Sequence, residues 1–342
     1  MSSSVRQQLL PHELIFEILS WLPVCSLLRF KCVSKRWSST IQDLAFVDVH
    51  MKRAIGGWVF RTTSDDPYES AAEQLYIARC RGLILEKSKG AQKFRLRNPS
   101  TREILHVPAP DENVLCCMRL CYITSTNEFK LVYPYTNGAD ENGGFKILTI
   151  GPNATWRMLE FPFSCKLGIV RVEIKVLNEV YCMIRLPKSA GTCDAEVVCL
   201  EMENEQLTRI KIPDSLFLDW RRVGPVDWDG KLSLGGVENK KLHVWVLESV
   251  RDQKWADRKI VIPLPFMKEE AEQYDIFPCA LHDIGLVVNS DHGELLVVDI
   301  ASGNILQRVG APAGEQFLYY NEPTLLRLEG MRPETETTNE SN

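Results

Sequence analysis

The sequence lacks the segments that would place a protein in a membrane or outside the cell. Its longest apolar stretch, Val114 to Ile123, contains Arg119 and is too short to span a bilayer as a helix. The first residues, MSSSVRQQLL, contain no apolar signal segment. The eleven cysteines are an odd number, whereas a secreted disulfide framework pairs its cysteines. We therefore expect free cysteines in a reducing compartment, the cytoplasm, the nucleus or both, and no membrane contact.

Metal-ligand spacing is also absent from the sequence. No Cys-x-x-Cys pair occurs, and no histidine stands at ligand spacing beside the closest cysteine group, Cys116, Cys117 and Cys121. These three cysteines lie among apolar neighbours, which is typical of buried strand residues. We expect no metal ion and no other cofactor.

The motifs of common catalytic centres are missing as well. The sequence has no Gly-x-Ser-x-Gly elbow and no P-loop, and its six histidines are scattered. Carboxylates are plentiful and leave one enzymatic alternative open, a glycoside hydrolase site built from Asp227 with Asp229, Asp275 with Asp283, or Asp291 with Glu294. The segment from Val226 to Gly230 also reads as a strand end that runs into an Asp-Gly turn. The favoured interpretation is a protein without catalytic residues of its own.

The net charge and the local charge of the chain point to different kinds of partner. The net charge of −5 argues against a general nucleic-acid binder, which needs a strongly basic face, so we expect no nucleic-acid partner. The stretch from Arg79 to Glu103 nonetheless carries eight Lys or Arg against two Glu. Solvated strand faces and turns would explain this excess, and a phosphate- or acid-binding surface is the other interpretation.

The N-terminal region has the pattern of a small helical module. Residues 10–22, LPHELIFEILSWL, place apolar side chains at helical spacing, with Pro11 in a first-turn position and Pro23 at the end of the run. A second helical pattern, VCSLLRFKCVSKRW, follows at once, and a third short element carries Trp37, Ile41, Leu44 and Phe46. Three helices this short bury little core. The surplus of large apolar side chains therefore predicts either a partner site or a helical cap packed on the following domain.

This region resembles an F-box along the whole length of that motif without a gap, and LLRFKCVSKRW is close to the plant versions. The matching positions are Leu10-Pro11, Glu13-Leu14, Ile18-Leu19, Leu22-Pro23, Leu27-Leu28-Arg29, Cys32-Val33-Ser34-Lys35 and Trp37. In that family the module binds the S-phase-kinase-associated adaptor of cullin–RING ubiquitin ligases. The resemblance therefore implies that adaptor as a partner and, through it, the cullin and RING subunits. The residues expected at the adaptor interface are Leu10, Pro11, Leu14, Ile18, Leu19, Leu22, Pro23, Leu27, Leu28, Val33 and Trp37.

From Gly57 onward, short runs rich in Val, Ile, Leu, Phe and Tyr alternate with turn-forming residues, which predicts an all-β region. Five segments in it pair a polar turn with a strand that stops at Pro or Gly: NPSTREILHVP, GPNATWRMLEFP, ENEQLTRIKIP, DQKWADRKIVIP and ASGNILQRVG. They end at residues 108, 162, 213, 263 and 310, so the spacings are 54, 51, 50 and 47. A period near fifty is typical of kelch-type propellers, whereas a β-sandwich, the structural alternative, gives no reason for it. We expect about five or six blades.

The β region also resembles the F-box-associated domain of plant proteins. The resemblance is carried by Cys80-Arg81-Gly82-Leu83, by residues 97–103 (RNPSTRE), by the Trp156 segment and by residues 293–305, GELLVVDIASGNI. It departs at Arg97, where the family usually has a large aromatic residue, and at Arg81, where the turn more often has Asn or Asp.

The predicted fold class is α+β by segregated domains, a three-helix F-box followed by the propeller. The predicted domains are a mobile N-terminus (residues 1–8), the F-box (9–50), the propeller (57–328) and a disordered tail (330–342).

These resemblances imply a non-catalytic substrate receptor, which holds a target protein near a ubiquitin-loaded enzyme supplied by other subunits. The target is expected to bind loops displayed on the rigid propeller. The segment LFLDWRR, residues 216–222, combines aromatic and arginine side chains, which are common binding anchors. The predicted target contacts are Phe217, Trp220, Arg221 and Arg222. The competing interpretation packs the two aromatics between blades and pairs both arginines with nearby acids.

Overall fold

The architecture is known from a computed structural model. It describes residues 10–54, 57–60, 74–88, 93–110, 118–136, 143–163, 170–177, 179–187, 195–213, 216–217, 220, 223–267, 276–282, 285–290, 295–309 and 318–334.

Four helices open the described chain: α1 (His12–Ser20), α2 (Val24–Phe30), α3 (Lys35–Gln42) and α4 (Leu44–Arg53). Pro11 and Pro23 stand at the N-caps of α1 and α2. The third predicted element is two helices, because the chain is extended at Asp43 (φ −68°, ψ 132°). The Asp43 carboxylate accepts hydrogen bonds from the backbone N–H groups of Ala45 at 2.8 Å and Phe46 at 3.4 Å, and so caps α4. We call these four helices the helical module.

The strands that follow form five antiparallel groups of at least four strands each, in chain order, which we call sheets A to E. A parallel pairing of Asp227 with Ala280 joins the last two groups at one point. Sheet A contains β2 (Gln74–Cys80), β3 (Leu83–Ser88), β4 (Phe94–Asn98) and β5 (Glu103–Val107). Sheet B contains β6 (Arg119–Ile123), β7 (Glu128–Thr136), β8 (Gly143–Thr149) and β9 (Arg157–Glu160). Sheet C contains β10 (Val170–Leu177), β11 (Val180–Pro187), β12 (Glu196–Glu201) and β13 (Leu207–Lys211).

Sheet D contains β14 (Val223–Trp228), β15 (Lys231–Glu238), β16 (Lys241–Ser249), β17 (Lys254–Trp255) and β18 (Ile260–Pro263). The last two strands pair with the two ends of β16. Sheet E contains β19 (Ile276–His282), β20 (Gly285–Ser290), β21 (Leu295–Val298) and β22 (Ile305–Val309). Two further short strands, β23 (Leu318–Asn321) and β24 (Arg332–Pro333), pair antiparallel with β1 (Gly57–Phe60) and β5.

Two-residue turns with positive φ at both positions connect three of the strand pairs: Arg81-Gly82, Asp229-Gly230 and Asn239-Lys240. Turns of this type match the right-handed twist of the strands and fix the hairpin register. The Asp-Gly turn predicted after Trp228 is confirmed, and the Asp227 carboxylate accepts the Gly230 N–H at 3.0 Å.

Sheets B to E stack face to face in sequence. One apolar cluster joins sheets B and C through side chains that include Val132, Phe145, Tyr181 and Val198. The opposite face of sheet C packs on sheet D, where Ile184, Val197, Val223 and Leu234 share a cluster. Sheets D and E share a third cluster that includes Val244, Ile262, Val288 and Val298. A sheet buried on both faces by its two neighbours is the arrangement of propeller blades, and the predicted fold class is confirmed, with five blades.

Contacts divide the protein into two compact units. One unit holds the helical module, sheet A and residues 318–334, and the other holds sheets B to E. Residues 330–334, which composition places in a disordered tail, instead form structure, because β24 pairs with β5 and Met331 is buried. The ranges 1–9 and 335–342 lie outside the described residues.

Candidate docking surface

An exposed apolar row follows α1. Leu10, Leu14 and Ile18 are 56%, 50% and 54% exposed, and Trp21, which ends the helix, is 66% exposed. Leu14 and Ile18 lie one turn apart on one face of the helix, and Leu10 and Trp21 continue the same spacing just beyond its two ends. Single exposed leucines are normal, whereas a contiguous row of large apolar side chains is a candidate interaction surface. We call these four residues the α1 row.

The residues predicted at the adaptor interface divide into three groups by exposure. The exposed ones are Leu10, Pro11, Leu14, Ile18, Pro23 and Val33. The partly exposed ones are Leu22, Leu28 and Trp37. Leu19 and Leu27 are buried in the helical module, so their side chains support the surface from below.

Packing beneath α1 holds the row in place. Phe16 meets Phe46 edge to face at 5.1 Å between ring centroids. His50 lies 2.9 Å from the Leu22 carbonyl through Nε2, so a side chain of α4 reaches the end of α1. Leu19, Val24, Leu27, Ile41, Phe46 and Val47 form the small buried core. This core is small for an independent domain.

Trp21 belongs to the surface although the F-box resemblance does not include it. Its indole N–H donates to Glu17 at 3.2 Å, and the Arg53 guanidinium lies 4.8 Å from its ring centroid. Arg53 also pairs with Glu17 at 2.9 Å. The hydrogen bond from Arg53, with that from Trp21, holds the pKa of the Glu17 carboxyl below its ordinary value. These contacts restrain the indole although two-thirds of its surface is exposed. The sequence signal for Trp21 is its spacing, since it lies three residues after Ile18 in the apolar helical pattern.

Basic side chains flank the second and third helices. Arg29, Lys35 and Arg36 are exposed. Burial is the main cause that lowers the pKa of Lys31; the charge of Glu103 opposes it, and the charge of Arg327 adds to it.

The predicted target contacts are placed differently from the α1 row. Phe217 is 4% exposed and lies in the cluster shared by sheets C and D, with Gly236 directly beneath its ring. Trp220 is partly buried against the same cluster and meets Phe217 edge to face at 5.5 Å. Arg221 and Arg222 lie outside the described residues. The placement of Phe217 is that of the competing interpretation, in which the aromatics pack between blades.

The carboxylates weighed for a glycosidase site have structural surroundings where they are described. Asp227 caps the turn before Gly230, and Asp229 occupies that turn with φ 50°. The other four carboxylates lie outside the described residues: Asp275, Asp283, Asp291 and Glu294. Within the described part of the chain, no group of three or more His, Cys, Asp or Glu could hold a metal ion. Likewise, no described helix is long and apolar enough to cross a membrane.

Comparison with protein families matches the helical module and the strands to two different domains. An F-box domain matches residues 8–48, and an F-box associated beta propeller domain matches residues 60–298, which is more than half of the chain. The chain therefore belongs to the family of F-box proteins with an F-box-associated β-propeller domain. Within this family its relatives are plant proteins.

Three relatives come from Arabidopsis thaliana. "F-box protein At1g30790" is 26% identical, with 75% of this chain and 76% of the relative covered. "F-box protein At5g65850" is 25% identical and covers 74% and 71%. "F-box/kelch-repeat protein At4g19930" is 21% identical and covers 74% and 69%. The kelch character of the repeat in this chain stays a prediction.

Among solved structures, a Penicillium chrysogenum alpha-L-arabinanase complexed with arabinobiose is similar at a TM-score of 0.42 and 10% identity. The match covers 75% of this chain and 85% of that one. A likeness at this level supports no conclusion about the chemistry of this chain.

Proposed function

We propose that this protein is the substrate-recognition subunit of a cullin–RING ubiquitin ligase. The helical module binds the S-phase-kinase-associated adaptor, and the propeller binds a target protein. The observation that carries the proposal is the α1 row, exposed on a module that belongs to the F-box family.

The row supports a protein partner because of its size and its chemistry. Three aliphatic side chains, each about half exposed, stand beside an indole that is two-thirds exposed. Aromatic residues are enriched and Lys and Glu are depleted at the centres of protein interfaces. The row is continuous with Pro11, which lies beside Leu10 at the start of α1 and is also exposed.

In this role the chain lowers no chemical barrier with its own side chains. It binds the adaptor through the helical module and the target through the propeller, and so raises the effective concentration of the target near the ubiquitin-loaded enzyme. Rigid stacking of sheets B to E through three apolar clusters suits a scaffold that displays binding loops.

The proposal is tested by binding the purified full chain to the purified adaptor, measured by calorimetry. We expect one adaptor per chain. Absence of binding by a chain whose circular dichroism shows folded helices and strands would refute the proposed function. Co-purification under proteasome inhibition, read by mass spectrometry, would then identify the target.

A further inference from the structure

The turn between β2 and β3 is an unusual place for an arginine. Arg81 has φ 49° and Gly82 has φ 76°, the left-handed conformation at both positions of a two-residue turn. Asn, Asp and Gly adopt this conformation at low cost, whereas a long side chain does so less readily. The Arg81 side chain pairs with the carboxylate of Asp48 on α4. A turn of sheet A thus contacts the helical module through a residue that the turn itself does not favour.

The second residue of the same turn contacts the C-terminal segment. A Cβ atom on Gly82 would lie 2.3 Å from the Glu322 carbonyl oxygen and 2.5 Å from Cγ2 of Thr324. Only glycine allows the backbone to approach this closely at positive φ. The segment 322–334 therefore passes directly over the turn, and we call this segment the strap.

Buried hydrogen bonds fasten the strap to sheet A. The Asn98 side-chain amide, which is fully buried, donates to the carbonyls of Thr324 at 3.1 Å and Leu326 at 2.8 Å. The Thr324 N–H donates to the Ser100 hydroxyl at 3.1 Å. At the far end of the strap, the Glu334 carboxylate pairs with Arg95 at 3.0 Å.

An ion pair adds to these bonds. Arg327 of the strap pairs with Glu103 of β5 at 2.8 Å. The strap is thus fastened to sheet A, and sheet A contacts the helical module through Arg81 and Asp48.

We propose that Arg81 and the strap join the helical module to sheet A as one folding unit, so that the module does not move independently of sheet A. Arg81 acts as a positioning residue through Asp48. This agrees with the grouping of the module, sheet A and residues 318–334 in one compact unit. If the proposed function holds, an adaptor bound to the module keeps a fixed orientation to the first blade. That consequence rests on the proposed function, whereas the coupling itself does not.

The test is hydrogen exchange of the full chain carrying Arg81→Asn, measured by mass spectrometry. Asn suits the left-handed turn, so the hairpin stays intact while the contact with Asp48 is lost. The matched control is Lys240→Asn, which replaces another long cation at φ 57° in a two-residue turn of sheet D.

We expect exchange across α4 to rise about two- to fivefold in Arg81→Asn, the range that an ion pair of this exposure supports, while β2 and β3 keep their protection. In Lys240→Asn, α4 is unchanged. Unchanged exchange of α4 in Arg81→Asn, or the same rise in the control, would overturn the role of Arg81.

The role of the strap is tested by two shortened chains, one ending at Asn321 and one at Glu334. We expect faster exchange across both β5 and α4 in the shorter chain only. If the shorter chain does not fold, Asn98→Ala is measured at full chain length. It removes the two hydrogen bonds to the strap together with those that the Asn98 oxygen accepts from the Ser100 and Thr101 N–H groups, so α4 is the decisive readout. The strap proposal fails if α4 keeps its protection while β5 loses it. Adaptor binding is not part of the readout, so the result stands whether or not the proposed function does.

Discussion

The exposure of the α1 row allows an estimate of how much free energy its side chains contribute to adaptor binding. Replacing Leu10, Leu14 and Ile18 together by Ala removes most of the aliphatic surface of the row. Burying a whole Leu or Ile side chain contributes about 1.5–3 kcal/mol. These side chains already have about half of their surface covered. The part left for a partner to cover is therefore worth about 0.7–1.4 kcal/mol each, or about 2–4 kcal/mol together. We expect the triple variant to bind the adaptor about 30- to 700-fold more weakly.

The assay is titration calorimetry of adaptor into the full chain, with circular dichroism to confirm that the helices persist. Leu306→Ala is the matched control, because this leucine on β22 is 59% exposed and lies outside the helical module. It should bind like the unchanged chain. If the triple variant binds within twofold while its helices are intact, the α1 row is not the adaptor interface.

Further predictions concern single residues. Trp21→Ala should weaken adaptor binding about 10- to 100-fold, measured by the same calorimetry, because a preorganised indole is a typical hot spot. Glu86→Gln should cost about 3–5 kcal/mol of unfolding free energy in urea, since it removes the charge of an almost fully buried carboxylate that pairs with both Arg95 and Arg97, whereas Glu248→Gln, which breaks an exposed pair, should cost under about 1 kcal/mol. Burial alone would raise the pKa of Glu205, but hydrogen bonds from Arg157 and Lys130 outweigh it and lower this pKa from 4.5. Its stabilisation is present above about pH 4.5 and is lost as pH falls through the lowered pKa, so the stability difference between the unchanged chain and Glu205→Gln should shrink below pH 4.5.

The parts of the fold that sequence predicts well are those set by local rules. Alternating apolar runs give the strands, and a turn such as Asp229-Gly230 fixes register through its backbone preference alone. The fifty-residue period then gives the propeller, because only repeated sheets that cover one another explain it. The α1 row is local in the same sense, since its spacing is readable along one helix.

What sequence did not predict depends on contacts between distant segments. The third helical element divides at Asp43 because the side chain of this residue caps α4. In the sequence, such an aspartate looks the same as an exposed polar residue inside one continuous helix. Residues 330–334 have the composition of a tail, and they form structure only because β5 offers an unpaired strand edge. The burial of Phe217 likewise depends on a distant residue, because a side chain at Gly236 of β15 would press on the Phe217 ring.

The two departures from the family pattern account for part of the positive charge between Arg79 and Glu103. Arg97 replaces the usual aromatic residue in β4, and its guanidinium pairs with Glu86 at 3.1 Å, a carboxylate that is 1% exposed. Arg95 approaches the same carboxylate at 2.9 Å from the other side. Arg81 replaces the usual Asn or Asp and pairs with a carboxylate of the helical module. Three of the eight positive charges in the stretch are thus matched by acids within the same compact unit. This favours solvated and paired strand faces over an acid-binding surface, because an arginine held by a buried carboxylate must lose that partner before it can bind another.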